Sequence, residues 1–172
     1  MGLREGELEL RPWTMDDVPA LVDALNDAEI ARWIPAIPQP YTEDDATAFI
    51  RHGATRAGRT EFAVTEDGAV VAAIGLDVDD FLRQGTTGYW CAEHARGRGL
   101  ITHSLRLLSK HAFEQLGVGR MQLFTDPENH ASQRVAEKVG YRREGVLRAH
   151  LPQRDGTRAD SVVFSLLPGE LR

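Results

Sequence analysis

Apolar and polar residues recur at regular intervals along most of the chain, and these intervals predict its secondary structure. Residues 7–11 alternate with a period of two, which predicts a half-buried strand. From residue 14 to residue 31 apolar residues recur at helical spacing, so we expect one helix with Thr14 as its N-cap. Thr42 is expected to open a second helix, which Gly58 ends. The first third of the chain is therefore predicted to hold a strand and two helices.

The middle and the end of the chain mix strand and helix patterns. Residues 61–66 and 69–78 are strand-like runs, and Asp67-Gly68 between them predicts a hairpin. Residues 100–116 have the strongest helical period in the chain, with Gly117 as C-cap. The remaining predictions are strands at 86–91, 119–125 and 161–167 and a short helix at 129–139. This order of elements predicts one α/β domain over residues 1–172 with a mixed sheet.

Composition narrows the classes of partner. A chain of 172 residues fits one ordinary domain. Its formal net charge of −6 disfavours nucleic acid and membrane surfaces as partners. The single cysteine, Cys91, excludes an internal disulfide framework and suits a reducing cytoplasm, where we expect the protein to act. The six histidines form no metal-binding pattern, so no metal is expected.

The strongest chemical signal lies between residues 89 and 102, where a strand ends, a loop rich in Gly and Arg follows, and the strongest helix begins. Backbone N–H groups at a helix N-terminus are unpaired and favour anions, and Gly97 and Gly99 allow a ligand to approach the backbone. Arg96 and Arg98 can add charge-assisted contacts to phosphate oxygens. The loop lacks the features of a Walker A or dinucleotide motif. It predicts a different phosphate site, the alternative being a tight turn with solvated arginines.

Arg96-Gly97-Arg98-Gly99 before a helix resembles the acyl-CoA pyrophosphate loop of the GNAT family of N-acetyltransferases, although Ile101 stands where that pattern has Gly or Ala. Ile at that position is familiar in the RimJ/RimL-like branch of ribosomal-protein N-terminal acetyltransferases. Five further segments are similar to that branch, and the similarity covers nearly the whole chain. They are Leu10-Arg11-Pro12-Trp13 with Asp16-Asp17, the connector at 35–41, Gly88-Tyr89-Trp90, the run from Asn129-His130-Ala131-Ser132 to Gly140-Tyr141, and Val163-Phe164-Ser165-Leu166-Leu167.

The resemblance implies an α/β fold with a mixed, mostly antiparallel sheet of about six or seven strands and about four helices. Strands 86–91 and 119–125 would splay apart in a V, and the pantetheine arm of acetyl-CoA would lie between them like an added strand. The main chain of Trp90, Cys91 and Ala92 would bond that arm, with Asn129 and Ser132 facing it and the thioester. The pyrophosphate is expected on the amides of Arg96, Gly97, Arg98, Gly99, Leu100, Ile101 and Thr102.

Ser132 is implied by the resemblance as the catalytic proton donor to the departing thiolate, the alternative being a local backbone contact. Related sequences often carry Glu two residues before Gly-Tyr-Trp, but this chain has Thr86 there. Glu93, Asp77 and Asp79 are substitutes by residue type only, and surface carboxylates are the alternative. An α-amine, with a pKa of about 7.7–8.0, needs a base less than a lysine does. The missing glutamate therefore favours an α-amine acceptor.

The remaining candidates concern the acceptor and the cysteine. Trp33, Tyr41 and His150 are expected to line the acceptor groove, between a proline-rich connector at 33–41 and a loop at 147–158, with ordinary loop packing as the alternative. Asn129 has the alternative role of helix N-cap. Cys91 is not expected to be acylated, because no base lies next to it in the sequence.

The sequence thus predicts an N-acyltransferase in which an amine attacks acetyl-CoA directly in a ternary complex, the acceptor being the α-amine of a protein or peptide N-terminus. Three alternatives stay open. They are acetylation of a small-molecule amine such as an antibiotic or a polyamine, transfer of another short acyl group, and a non-catalytic acyl-CoA-binding module. The sequence leaves the acceptor and the oligomeric state open, with a homodimer as one alternative.

Overall fold

A computed structural model describes residues 2–172, and these residues form one sheet with helices on both faces. Nine strands are present in it: β1 (Leu3–Glu5), β2 (Leu8–Pro12), β3 (Thr55–Arg56), β4 (Arg59–Glu66), β5 (Ala69–Asp79), β6 (Gln84–Cys91), β7 (Arg120–Thr125), β8 (Arg142–Pro152) and β9 (Arg158–Leu166). The α-helices are α1 (Val18–Leu25), α2 (Ala28–Trp33), α3 (Glu43–Ala48), α4 (Leu100–Gln115) and α5 (His130–Val139). The α/β class is confirmed, and the sheet has more strands than predicted.

The strand order is β1-β2-β4-β5-β6-β7-β9-β8, with β3 paired to β4 beside this path. The pair β6–β7 is parallel and the other pairs are antiparallel, as the mixed-sheet prediction requires. β6 pairs with β7 only from Gln84 to Thr87, against Arg120 to Leu123. Beyond Thr87 the two strands separate, which confirms the V-shaped splay. One edge of residues 88–91 therefore lies open in the middle of the sheet.

Alternating residues of the strands supply two apolar clusters, one on each face of the sheet. Along β4, Phe62 and Val64 face a large cluster that includes Leu105 and Leu108 of α4. Ala63, between them, faces a second cluster under α1, α2 and α3. This alternation is the expected consequence of the pleat, which points successive side chains to opposite faces. No helix within residues 2–172 is long and apolar enough to cross a membrane.

The first predicted helix is broken into two at Asn26. Its amide Nδ2 donates to the carbonyl of Val22 at 2.8 Å and to that of Tyr41 at 2.9 Å, so it closes α1 and holds the connector. Asp27 then caps α2 by accepting from the backbone N–H groups of Glu29 and Ile30, each at 2.8 Å. Helical periodicity does not detect this break because both pieces keep an apolar face.

Two other predicted elements differ from the structure. The second helix ends earlier than Gly58, because α3 passes into a π-helical turn at Phe49–Gly53 and the chain then returns as β3 to pair with β4. The loop predicted at 147–158 is instead a hairpin formed by β8 and β9. β8 has no buried face, and its pairing shifts between Arg143 and Gly145 and between Leu147 and Leu151, so no two-residue hydrophobic alternation marks it.

Candidate active site

The phosphate loop joins the open edge of β6 to the N-terminus of α4. A 3₁₀ turn at Glu93–Ala95 follows β6, and Gly99 is the N-cap of α4. Gly97 and Gly99 adopt φ angles of +75° and +82°, which side chains rarely tolerate. A Cβ at either glycine would meet no heavy atom within 4 Å, so the space above this backbone is open. The loop thus presents the first amides of α4 to an open surface, as an anion site requires.

Both arginines of the loop are held by carboxylates. Nη1 of Arg96 donates to Glu29 Oε2 at 2.9 Å, and Nη2 lies 2.9 Å from Oδ1 of Asp27. Nη2 of Arg98 lies 2.7 Å from Oε2 of Glu66. Sequence reasoning expected free guanidinium groups here and did not find these partners, which come from distant segments. The backbone amides at the start of α4 therefore act together with guanidinium groups that are already paired.

One cavity of about 290 Å³ lies beside this loop. We call it the loop cavity. Its lining brings together Arg96, Gly97 and Gly99 from the loop, Leu100, Ile101 and Thr102 from the first turn of α4, Trp90 and Cys91 from β6, and Asn129 and Ser132 from the N-cap and first turn of α5. Ten of the predicted cofactor residues thus meet around one space, while Ala92 and Arg98 lie outside the lining.

The predicted backbone partners at the end of β6 differ in their availability. Trp90 and Cys91 pair with β5 on one side and face the splay on the other. The N–H of Ala92 already donates to the carbonyl of Val71 at 3.0 Å. Burial raises the pKa of the Cys91 thiol, while the nearby Arg96 and Arg98 lower it. A thiol held in its neutral form is a poor nucleophile, which supports the expectation that Cys91 is a bystander.

Ser132 sits in the first turn of α5 and contacts a buried tyrosine. Asn129 is the N-cap of α5, and its Oδ1 accepts from the backbone N–H of Ser132 at 3.0 Å. The Tyr89 hydroxyl lies 2.9 Å from the Ser132 hydroxyl and 3.2 Å from the Ser132 carbonyl, so its single proton can go to either oxygen. Burial raises the pKa of Tyr89, so its hydroxyl keeps its proton. No local pattern favours a role for Tyr89 beyond packing, because its partner Ser132 is 43 positions away in the sequence.

A second cavity, of about 500 Å³, lies against the sheet face beside α1 and the connector, and we call it the sheet cavity. Its floor includes Arg59, Glu61, Gly75, Asp77, Thr86 and Gly88, from the adjacent strands β4, β5 and β6. Six residues line both cavities: Trp33, Ile34, Tyr89, Trp90, Asn129 and Ser132. The two cavities therefore meet at the splay, and Ser132 stands at the junction.

The position where related sequences carry a glutamate holds Thr86, whose hydroxyl accepts from Gln122 at 2.9 Å. A carboxylate nevertheless lines the same cavity, because Glu61 reaches it from β4. Of the substitutes that the sequence suggested, Asp77 lines the cavity and pairs with Arg59, whereas Glu93 and Asp79 are exposed outside its lining. Glu61 was missed because its neighbours in sequence carry no signal for a site. Only the strand pairing brings it there.

The predicted acceptor residues are placed differently from one another. Trp33 lines both cavities, with the guanidinium of Arg32 at 4.3 Å from its ring centroid. Tyr41 is buried in the second apolar cluster and is absent from the lining of both cavities, so it does not line the groove as predicted. His150 packs against Phe124, a sheet-cavity residue, and its Nδ1 lies 2.7 Å from the Ser161 hydroxyl. His150 thus lies one layer behind the cavity wall.

The turn between β8 and β9 is tied to the connector. Nη2 of Arg154 donates to the carbonyl of Ile37 at 2.5 Å, and Arg158 donates to the carbonyl of His150 at 2.7 Å. The guanidinium groups of both arginines are thus occupied by backbone carbonyls. The contact fixes the outer wall of the sheet cavity.

Comparisons with known proteins agree with this geometry. The acetyltransferase (GNAT) domain family matches residues 7–142. The chain is 30% identical over 151 residues to "Putative ribosomal N-acetyltransferase YdaF" of Bacillus subtilis (strain 168), covering 84% of this chain and 81% of that protein. Mycobacterium smegmatis RimJ, solved in complex with CoA-disulfide, is 25% identical with a TM-score of 0.81 and covers 99% of this chain and 88% of RimJ.

A further solved structure shares the fold at lower identity. RimL, a ribosomal L7/L12 alpha-N-protein acetyltransferase in complex with coenzyme A, has a TM-score of 0.88 at 18% identity, covering 97% of this chain and 98% of RimL. At that identity the likeness concerns the fold alone.

Proposed function

Because the chain belongs to the acetyltransferase (GNAT) family, we propose that it transfers the acetyl group of acetyl-CoA directly to an amine, and that this amine is the α-amino group of a protein or peptide N-terminus. The ribosomal N-acetyltransferase name of its Bacillus subtilis relative supports the choice of acceptor. The CoA complex of Mycobacterium smegmatis RimJ supports the choice of donor. Acetyl-CoA is a metabolite of the cytoplasm, where we propose that the protein acts.

The observation that carries the proposal is the meeting of the two cavities at Ser132. The loop cavity offers helix amides for a diphosphate at one end and the open edge of β6 for the pantetheine arm at the other. The sheet cavity offers a separate route for the acceptor. A thioester delivered through the splay would then face an amine delivered from the sheet cavity, which is the arrangement that direct transfer requires.

Ser132 and Tyr89 are placed to serve the leaving group. In this proposal the Ser132 hydroxyl donates its proton to the thiolate as the C–S bond breaks, and Tyr89 donates in turn to Ser132 Oγ. Tyr89 is then a positioning residue, because it acts through Ser132. The high pKa that burial gives Tyr89 keeps it protonated, so the pair is a proton donor throughout the neutral range.

A small-molecule amine is the second candidate acceptor. The sheet cavity, at about 500 Å³, falls within the size range of small-molecule sites. Only the first residues of a peptide would fit into it. Transfer of a short acyl group other than acetyl is a further alternative.

An acceptor panel separates these candidates. Purified protein is incubated with acetyl-CoA and either peptides with free N-termini, the same peptides with blocked N-termini and one lysine, or small amines, with thiol release and product mass as readouts. The proposal expects the free N-terminal peptides to gain one acetyl group, with one free thiol per product. Acetylation of small amines alone would favour the second candidate. CoA binding without thiol release on any amine would indicate a non-catalytic module.

A further inference from the structure

Glu61 lies opposite a glycine on the neighbouring strand, so no side chain from that residue fills the space of its carboxylate. Strand pairing sets Glu61 opposite Gly75 and Gly75 opposite Gly88, so the three residues form one cross-strand row on the floor of the sheet cavity. A Cβ on Gly75 would lie 2.5 Å from Oε2 of Glu61, which means that the carboxylate lies directly over this glycine. Any side chain at Gly75 would displace it.

The row also leaves a space in front of the carboxylate. A Cβ on Gly88 would meet no heavy atom within 4 Å. Adjacent strands lie about 4.8 Å apart, so a carboxylate over Gly75 is roughly one strand spacing from the volume above Gly88. Gly88 is followed by Tyr89 and Trp90, which line the junction of the two cavities. From this arrangement we propose that Glu61 is the general base that removes a proton from the acceptor ammonium group.

Glu61 is both buried and paired with an arginine, and these two influences act in opposite directions on its pKa. Its side chain is 14% exposed, and Arg59 contacts it while also bonding Asp77 at 2.5 Å. The charged groups that face Glu61 are Arg59 on its own strand, Asp77 on β5 and Arg56 on β3. Burial raises the pKa of Glu61, Asp77 adds to this, and the two arginines oppose it without reversing it. A raised pKa brings a carboxylate closer to neutral pH and makes it a stronger base.

This role rests on the proposed function, in which two protons leave the acceptor nitrogen during the transfer. The ammonium acceptor loses one proton to the Glu61 carboxylate, directly or through one water, and becomes a neutral amine. Its nitrogen lone pair forms the C–N bond at the thioester carbonyl, and the C–S bond breaks. Ser132 gives its proton to the thiolate, and the second proton that the nitrogen loses restores the Ser132 hydroxyl. Glu61 releases its proton to solvent, so one amide, one thiol and one proton result.

A series of acceptors of graded basicity tests this role, because a base matters only for an amine that is protonated at the assay pH. Glu61→Gln keeps the size of the side chain and removes its ability to take a proton. With a strongly basic probe such as an alkylamine, we expect kcat/KM to fall about a hundredfold. With trifluoroethylamine, which is already neutral at pH 7, we expect a change of about threefold or less.

The control variant is Glu114→Gln, at the exposed end of α4 far from both cavities, for which no dependence on amine basicity is expected. An equal loss for every amine in Glu61→Gln, or no loss for any, would overturn the role of Glu61 while leaving the proposed function intact. Wild-type protein that acetylates none of the probes and none of the peptides would overturn the proposed function and this inference together. Matching circular dichroism spectra of the variants establish that the comparison concerns folded protein.

Discussion

The loop cavity and the sheet cavity are built in opposite ways. The loop cavity depends on backbone: amides at the start of α4, two glycines with positive φ, and the unpaired edge of β6. The sheet cavity depends on side chains that three strands bring together, above all Glu61 in its cross-strand row. A backbone site tolerates many side-chain changes but few changes of conformation. A side-chain site should show the reverse, and the following experiments test that contrast.

The largest effect is expected from Gly99→Asp. The aspartate must adopt a φ near +82° and places a negative charge against the proposed diphosphate, which costs about 3 kcal/mol at a separation of about 5 Å. We expect the affinity for CoA, measured by calorimetry, to fall about a hundredfold. Gly68→Asp is the matched control, since Gly68 has the same φ of +82° and the same open surroundings in the β4–β5 hairpin. Equal CoA affinity in the two variants would contradict a backbone anion site.

Ser132→Ala should separate chemistry from binding at the junction. We expect kcat to fall about a hundredfold while the CoA affinity changes by less than about threefold. Tyr89→Phe should lower kcat by about tenfold, and the two changes together should cost little more than Ser132→Ala alone, because they act on one proton path.

Ser109 and Tyr141 provide the comparison for this pair. Their hydroxyls also lie 2.9 Å apart and are buried, but neither residue lines the loop cavity or the sheet cavity. Ser109→Ala should lower the midpoint of thermal unfolding without a matching loss of kcat. A similar loss of kcat in Ser109→Ala would show that Ser132 matters only through packing.

The two loop arginines should differ in their effect on stability. Arg96 is 29% exposed and joins Asp27 and Glu29, whereas Arg98 is 48% exposed and joins Glu66 alone. We expect Arg96→Ala to lower the free energy of unfolding by about 1 kcal/mol, and Arg98→Ala by about 0.5 kcal/mol or less. Urea unfolding measures both values. If Arg98→Ala lowers the free energy of unfolding more than Arg96→Ala does, Arg96 is not the stronger link between the loop and the rest of the protein.

The smallest effect concerns pH. Because the pKa of Glu61 is raised on folding, the folded state holds this proton more tightly than the unfolded state does. The wild type therefore loses stability as pH rises from the ordinary glutamate pKa through the raised value. Glu61→Gln lacks this loss. The difference between its midpoint of thermal unfolding and that of the wild type should therefore shift in favour of the variant as pH rises from 4 to 8. A constant difference across that range would show that the pKa of Glu61 is not raised.

The same contrast explains what the sequence could predict. Gly97, Gly99 and the start of α4 are close together in the sequence, so their local pattern predicts the phosphate loop. Asn129 and Ser132 lie within one short motif, and the resemblance of that motif predicts their place beside the loop. The sheet is predictable wherever one face of a strand is buried, as in β4 and β5. β8 was missed because its alternation is absent and its pairing shifts twice.

Glu61 shows why side-chain sites escape prediction from one sequence. Its role depends on the absence of side chains at Gly75 and Gly88, which lie 14 and 27 positions away and become neighbours only through strand register. Tyr41 shows the opposite error, since an aromatic residue in a connector was expected at the groove and is packed in the core. Both outcomes depend on tertiary contacts that local periodicity does not contain.

The most direct test is a crystal structure with a bisubstrate ligand in which an alkylamine nitrogen is joined through an acetyl group to the sulfur of CoA. We expect the diphosphate on the amides of Gly97 to Thr102, the sulfur in the splay within hydrogen-bond reach of Ser132, and the alkyl chain in the sheet cavity beside Glu61. A sulfur outside the splay, or an alkyl chain that leaves through another route, would contradict the claim that the two cavities meet at the point of transfer.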